Sequence, residues 1–334
     1  LGIAGATLDV RGRDKVDWSK PCVVVNHQSM IDIIALQVGL PTRPRGPPAA
    51  PWRDDRLAVA VYGVVMTTPK SPKAPIPDTV TVTADDGIVT ITMDAPRGNA
   101  LSPQTVRALS RAIYQAETLL GDIDEPVAKA IVLAGKASVF CGGLDLKEGH
   151  TMERGLVADW VDAFEAVFLQ LFSIRVPVVA AMAGPAIAGG AVLALCCDER
   201  VAPIDGHFEI GLNEVTLGLS FPSAALEIAR HSLPRQLHTD ALVKGRRFDR
   251  HEALARGFVD ELASDVVAAA VVRARAYLPL SSRAVGKTKL DLRYDAITRA
   301  RARAIESRRI FVEGWFDPKN VARRQAVLDA LAAR

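Results

Sequence analysis

Four cysteines in 334 residues, none of them in a C-x-x-C pair, leave neither a disulfide framework nor a zinc site to be read from this sequence. Cys22, Cys141 and the neighbours Cys196 and Cys197 fit a reducing, cytosolic compartment, which is the expected location. Aromatic residues are few, at 5%, and the formal charge of +3 is spread along the chain. That combination lacks the basic patch interleaved with stacking side chains that nucleic-acid binders use, so nucleic acid is not an expected partner. The six histidines show no H-x-x-x-H or H-E-x-x-H spacing, and no metal is expected. The chain starts at Leu1 with no charged segment leading into an apolar one, so no signal peptide is expected. One uncharged run, Val176 to Cys197, has about the length of a membrane span. Pro177, Gly184, Pro185, Gly189 and Gly190 cut it into a short strand, a turn and a helix start, so a buried strand-turn-helix unit is expected and no membrane span.

What is present is the composition of a globular protein, 49% hydrophobic and 24% charged, long enough for one large domain or two modest ones. The composition changes near residue 78. Nine prolines fall between Pro41 and Pro77, in runs such as PTRPRGPPAAP, without the periodicity of a helix or strand, and read as a linker over 41–78. After it, TVTVTADDGIVTITMD alternates β-branched and polar residues on both sides of Asp86-Gly87, which predicts a hairpin. SPQTVRALSRAIYQAETLL predicts a helix capped by Ser102 with Pro103 in its first position. VAKAIVLAG predicts a buried strand, and an amphipathic segment over roughly 155–172 a second helix. Strands and helices therefore alternate as in an α/β core, and from Pro222 onward the pattern is mostly helical.

Two segments share one design, VFCGGLDLKE at 139–148 and GPAIAGGAVLAL at 184–195: a strand ends, small residues turn the chain, and a helix is expected to begin. Gly142, Gly143, Gly189 and Gly190 permit backbone conformations closed to other residues and let a ligand approach the main chain. Amides at a helix start are unpaired and sit at the positive end of the dipole. Two of them converging on one point would form an oxyanion hole, each donor worth about 3–4 kcal/mol in a transition state. The simpler role of such glycines is close helix-strand packing.

In this order GNALS (98–102), VFCGGLDLKE, PVVAAMAGPAIAGGAVLALCCDERVA (177–202), FEIGLNEVTLGLSFP (208–222) and GRRFDRHEALARGFVDEL (245–262) resemble the crotonase, or enoyl-CoA hydratase/isomerase, superfamily over residues 79–334. The resemblance implies an α/β fold, a crotonase-like spiral of ββα units with a helical C-terminal region, assembled as a homotrimer or dimer of trimers. It implies an acyl-CoA thioester as partner and an enolate stabilised by the backbone amides of Leu144 and Gly189. It further implies a substrate-binding set of Ala100, Gly143, Asp145, Lys147, Gly190 and Val192, and no cofactor beyond the coenzyme A of the substrate.

Hydratases of the family use two glutamates. One falls three residues after the oxyanion glycine, where this sequence has Val192, which can neither take nor give a proton. The other falls at Glu214, in GLNEV, and is present. One carboxylate beside an oxyanion hole can take a proton from the α carbon of a 3-enoyl-CoA and return it at the γ carbon. Burial among apolar neighbours is expected to raise the Glu214 pKa; its plainer role is that of a structural hydrogen-bond partner. Glu209 reads as a solvated edge residue, Asp145 as a helix cap, Cys141 as a packing residue, and Lys147 and some C-terminal arginines as partners of the CoA phosphates.

A second resemblance lies in VVVNHQSMIDIIAL (23–36). His27 and Asp32 occupy the H-x-x-x-x-D positions of the glycerolipid acyltransferases that acylate lysophosphatidate, where an aspartate orients the histidine that deprotonates a hydroxyl. The match covers only about residues 5–40, the family's later motifs are absent, and the stretch reads as a truncated or fused remnant without activity. The expected function is double-bond isomerisation in fatty acid metabolism. A hydratase drawing its second acid from elsewhere, a non-catalytic acyl-CoA-binding paralogue, and last an acyltransferase stand as alternatives.

Overall fold

A computed structural model describes residues 79–122, 126–135 and 138–332, together with two short antiparallel strands, β1 (Gly2–Ile3) and β2 (Ala6–Thr7). The chain divides into two compact units, Leu1–Pro75 and Ile76–Arg334. The acyltransferase-like residues His27 and Asp32, Cys22 and the run from Pro41 to Pro77 lie outside the described residues.

The second unit opens with a hairpin of β3 (Val80–Asp85) and β4 (Ile88–Met93), in which Asp85 pairs with Ile88 across a two-residue loop. Both loop residues have positive φ, 44° at Asp86 and 77° at Gly87, the conformation that matches the twist of paired strands and favours an Asp-Gly sequence. A kinked turn, α1 (Pro96–Asn99), leads to α2 (Pro103–Leu120), where the Ser102 hydroxyl accepts the Thr105 amide at 3.1 Å as its cap. The strand β5 (Ala130–Gly135) follows, then α3 (Leu146–Gly149) and α4 (Arg154–Phe172).

The uncharged run resolves into β6 (Val178–Ala181), β7 (Ala186–Ile187) and α5 (Gly189–Cys196). Among the described residues no helix is long and apolar enough to cross a membrane. Then come β8 (Glu199–Pro203), β9 (Ile210–Gly211), a 3-10 turn at Glu214–Leu217, and α6 (Ser223–Ser232). The strands β10 (Arg247–Phe248) and β11 (Glu261–Ala263) flank α7 (Arg250–Ala255), and α8 (Val266–Arg275), α9 (Ser282–Phe316) and α10 (Pro318–Ala332) complete the unit.

The main sheet has the order β11-β8-β6-β5-β4-β3 and is parallel except for the hairpin. Beside it runs a column of short pairings: Leu101 with Leu144, Cys141 with Ala186, β7 with β9, and β9 with β10. Each turn of the chain thus places one strand in the main sheet and one short stretch in this column before its helix, as in β6-β7-α5 and β8-β9-α6. This is the expected α/β spiral of ββα units with a helical C-terminal region. It also explains why β5 reads as an unbroken apolar run: Ile131 and Leu133 join the core on one face, while Ala130, Val132 and Ala134 pack on the other with Ala270 and Ala274 of α8.

The 35-residue helix α9 is tied to the sheet by a buried cluster. Lys289 Nζ donates to Asp198 Oδ2 at 2.6 Å and to the Val176 carbonyl at 2.7 Å, and Arg293 Nη2 donates to Asp198 Oδ1 at 2.7 Å. The Arg293 guanidinium also lies 4.2 Å from the Phe172 ring centre.

Candidate active site

The second glycine turn is built by crowding. Ile187 and Ala188 donate their amides to Cys141 (3.0 Å) and Gly211 (2.7 Å), which fixes both sides of the turn within the column of short pairings. Ala188 then adopts φ 50°, ψ −120°, a region that L-residues rarely occupy, and so aims the next amide, that of Gly189, out of the ladder. Gly189 is the first residue of α5. Its amide, like that of Leu144, donates to no protein acceptor among the described residues.

The first turn comes against it. Gly142 donates to the Gly98 carbonyl at 2.9 Å, Gly143 takes φ 85°, and Leu101 donates to the Gly143 carbonyl at 2.8 Å. The Leu101–Leu144 pairing thus runs through the residues flanking Leu144 and leaves its amide free. A Cβ on Gly143 would stand 2.7 Å from the Ile187 carbonyl oxygen and 3.4 Å from the Gly189 nitrogen. The two turns therefore pass in van der Waals contact, and the missing side chains allow it. In one respect the structure departs from the sequence expectation. Only the second turn feeds a helix of two turns or more; the first feeds the single turn α3, too short to bring a dipole to bear on Leu144.

The neighbours of the first turn hold it rigid. Asp145 Oδ1 accepts the Glu148 amide at 3.0 Å and caps α3, and its other oxygen pairs with the Arg97 guanidinium, Nε donating at 2.7 Å. Asn99, in the left-handed region at φ 56°, accepts the Ala95 amide at 2.6 Å through Oδ1 and donates through Nδ2 to the carbonyls of Val139 and Phe140. Neither Arg97, 48 positions from Asp145, nor Ala188 stands out in the sequence. The one available hint for Asn99 was that asparagine tolerates left-handed backbone. Ala100 is buried immediately before Leu101, Lys147 is exposed on α3, and Gly190 is buried against Cys141.

Glu214 follows β9 closely. Since the Gly211 carbonyl holds the Ala188 amide, Glu214 stands three residues beyond a direct bond to the second turn. Its side chain is buried, Oε2 has no hydrogen-bond partner, and desolvation pushes its pKa up to about 8, opposed only by its own backbone amide. Val192, in the second position of the resemblance, is wholly buried in the core on α5. Cys141 is buried, its thiol pushed up to about 12 by desolvation and hydrogen-bonded to the Asn99 carbonyl. Glu209 is partly exposed and pairs with Arg247 at 3.2 Å. Among the described residues no group of three His, Cys, Asp or Glu side chains could hold a metal ion.

Comparisons with known proteins identify the family and the fold. A model of the enoyl-CoA hydratase/isomerase family matches residues 83–320. Among solved structures the chain is similar to a Mycobacterium tuberculosis protein described as an enoyl-CoA isomerase in one structure and as a probable enoyl-CoA hydratase in another, with 37% identity, 69% of this chain and 97% of that one covered, and a TM-score of 0.62 for the first. It is also similar to the human mitochondrial delta3-delta2-enoyl-CoA isomerase, with 25% identity, coverage of 76% and 98%, and a TM-score of 0.69. Among curated proteins it is 35% identical over 182 residues to the peroxisomal bifunctional enzyme of Danio rerio, covering 52% of this chain and 22% of that enzyme. Three further curated relatives are spanned over 65%, 57% and 59% of their length. The ββα spiral, the two touching glycine turns and a family match over most of the chain lead to one conclusion: this chain belongs to the enoyl-CoA hydratase/isomerase, or crotonase, family.

Proposed function

We propose that the protein moves a double bond in an enoyl-CoA thioester, converting a 3-enoyl to a 2-enoyl group. The amides of Leu144 and Gly189 hold the thioester oxygen, and the Glu214 carboxylate takes a proton from the α carbon. The electron pair of that C–H bond moves to the thioester carbonyl and forms a dienolate whose oxygen the two amides stabilise. Glu214, now protonated, returns the proton to the γ carbon, and the electrons re-form as the conjugated double bond. The reaction is redox-neutral and consumes no water, so one acid suffices. A pKa near 8 makes Glu214 a stronger base than a solvated carboxylate and still ionised in part near neutrality.

The observation that carries this reading is the pairing of a buried, half-unpartnered Glu214 with a valine at 192, where a second acid would be needed to split water. One of the similar structures is of a delta3-delta2-enoyl-CoA isomerase. Assembly as a homotrimer or dimer of trimers and a cytosolic location belong to the same proposal.

Conjugation raises ultraviolet absorbance, whereas hydration of a 2-enoyl-CoA lowers it. Purified protein given hex-3-enoyl-CoA is expected to raise the signal, and Glu214→Gln to abolish the rise while still binding the thioester. Full activity in that variant, or loss of absorbance with a 2-enoyl substrate at a comparable rate, would overturn the assignment.

A further inference from the structure

The last turn of α9 leaves carbonyl groups that no residue of the helix itself can bond. Two side chains of α10 meet them: Asn320 Nδ2 donates to the Gly314 carbonyl at 3.0 Å, and Arg324 Nη2 to the Trp315 carbonyl at 2.6 Å. Asn320 does more than close a helix. Its Nδ2 also donates to the Gly218 carbonyl at 2.9 Å, 102 positions away in the chain, and its Oδ1 accepts from Arg323 Nη1 at 3.2 Å. A flipped carboxamide would set Oδ1 against two carbonyl oxygens, so the group has one orientation.

Gly218 closes the 3-10 turn Glu214–Leu217, in which the Gly218 amide donates to the Val215 carbonyl and that of Leu219 to the Glu214 carbonyl, both at 3.1 Å. One such turn is too short to hold its own place. The chain leaves it at φ 74°, and a Cβ on Gly218 would overlap the Asn320 carboxamide and stand 2.7 Å from Arg323 Nη1. The carboxamide therefore lies directly on the backbone that ends the turn, and glycine is what lets it approach. The same helix packs against α3, the turn that follows Leu144. α10 thus touches both the turn that carries Glu214 and the one that follows the Leu144 amide, and Asn320 supplies a hydrogen bond to the first.

We propose that Asn320 is a positioning residue for the reaction: by tying the Gly218 carbonyl to the end of α9, it fixes the turn from which the Glu214 carboxylate reaches the α carbon. This deepens the functional reading above and rests on it. Asn320 acts through the main chain. Without its two donors Gly218 loses this anchor, and Glu214, at the other end of the turn, shifts against the oxyanion amides. A misplacement of about 1 Å between reacting groups is enough to cost on the order of a hundredfold in rate. Because the Glu214 carboxyl is buried with Oε2 unpartnered, the same slackening lets water reach it.

The test separates position from stability. Asn320→Leu keeps the branched shape of the side chain and suits a helix, and it takes away both donors. With hex-3-enoyl-CoA its kcat is expected to fall about tenfold or more while KM changes less than about twofold, the mark of a misplaced base beside a thioester that is still gripped. The pH profile of kcat/KM, with a wild-type midpoint expected at about 8, is expected to move to lower pH as the carboxyl gains water. Burial sets that midpoint, and Arg323, a charged side chain that α10 brings to the turn, does not contribute to it, so the profile reports how closed the turn is. Val327→Ala, two helical turns further along α10 and packed on the core, is the control: it is expected to lower the denaturant midpoint and to leave kcat and the profile where they are. An unchanged kcat in Asn320→Leu, or a fall in kcat with the profile unmoved, overturns the proposal. Should the wild-type protein not isomerise the substrate, the functional reading fails by itself, and the titration of Glu214 decides this proposal separately. Its carboxyl stretch, read in the infrared as the difference between each protein and its Glu214→Gln counterpart, is expected to disappear at lower pH in Asn320→Leu than in wild type; equal midpoints overturn the proposal. Where Asn320→Leu does not fold, Asn320→Ala, which removes the donors and adds no bulk, decides by the same readings.

Discussion

Gly190 and Cys141 approach so closely that no side chain fits between them: a Cβ on Gly190 would overlap the Cys141 carbonyl oxygen and stand 2.8 Å from its carbonyl carbon. The obstruction is backbone, held in place by the Ile187 amide bonded to the same oxygen, and it has no rotamer to escape into. At Gly189 the nearest atom to an added Cβ is the tip of Leu101, at 2.9 Å, which can turn aside.

Gly190→Ala is therefore expected to separate the two turns, lowering stability by about 3 kcal/mol and isomerisation at least a hundredfold, while Gly189→Ala costs about 1 kcal/mol. Denaturant midpoints and kcat/KM measured side by side check the contrast. Equal effects from the two alanines would show that the close approach at Gly190 carries no special weight.

Glu214 ties stability to pH. In the unfolded chain its carboxyl loses its proton near 4.5; in the folded protein it keeps it to about 8. Between those values the folded state binds the extra proton, so stability falls as pH rises through this window and levels off above it. Glu214→Gln removes the titration. Its melting temperature, relative to wild type, is expected to gain on the order of 5 °C at pH 9 over the difference at pH 5. Wild-type kcat/KM is expected to rise with pH toward about 8, as the base ionises. A pH-independent gap between the two melting curves would contradict the buried, raised carboxyl.

Asp198 is the shared counter-ion of Lys289 and Arg293, and the cations are the more deeply buried members of the cluster. Removing it by Asp198→Ala strands two charges in the interior and frees the Val178 amide that Oδ2 accepts at 2.7 Å. A loss of about 3–5 kcal/mol is expected, read from the denaturant midpoint. Lys289→Met, which leaves Asp198 paired with Arg293, is expected to cost less than half of that; the reverse order would place the weight of the cluster on the lysine.

Local chemistry made much of the fold legible. Asp86-Gly87 marked the hairpin because two positive φ angles are needed there, and Ser102-Pro103 marked the start of α2 because both residues suit the unpaired amides of a helix end. The touching of the two glycine turns depended on pairings between residues 45 apart, such as Cys141 with Ala186, and was reached only through resemblance. Other features had no local signal. Arg323 is exposed and Arg324 buried, and in the sequence the two differ only by a step of about 100° around a helix whose phase is set by its packing. Ala188 is silent for another reason: its conformation is imposed by the bonds to Gly211 and Val192 on either side and opposes its own preference.

That opposition yields the last prediction. Ala188 at φ 50°, ψ −120° carries strain of about 1–3 kcal/mol, and glycine in its place would relieve it at an entropic cost of about 0.5–1 kcal/mol. Ala188→Gly is thus expected to fold with equal or greater stability. Catalysis should move the other way. The alanine Cβ lies against Gly143, 3.1 Å from where a Cβ of that residue would stand, and keeps the turn from sliding. A glycine lets the Gly189 amide wander, and on the proposed reaction the bond that suffers is the one that tightens as charge builds on the thioester oxygen. The expected result is a fall of about tenfold in kcat with KM changed less than about twofold, because an interaction made mainly in the transition state leaves ground-state binding alone. A rise in KM at constant kcat would mean that the turn grips substrate rather than its enolate, and a loss of stability would mean that the backbone at Ala188 is not strained.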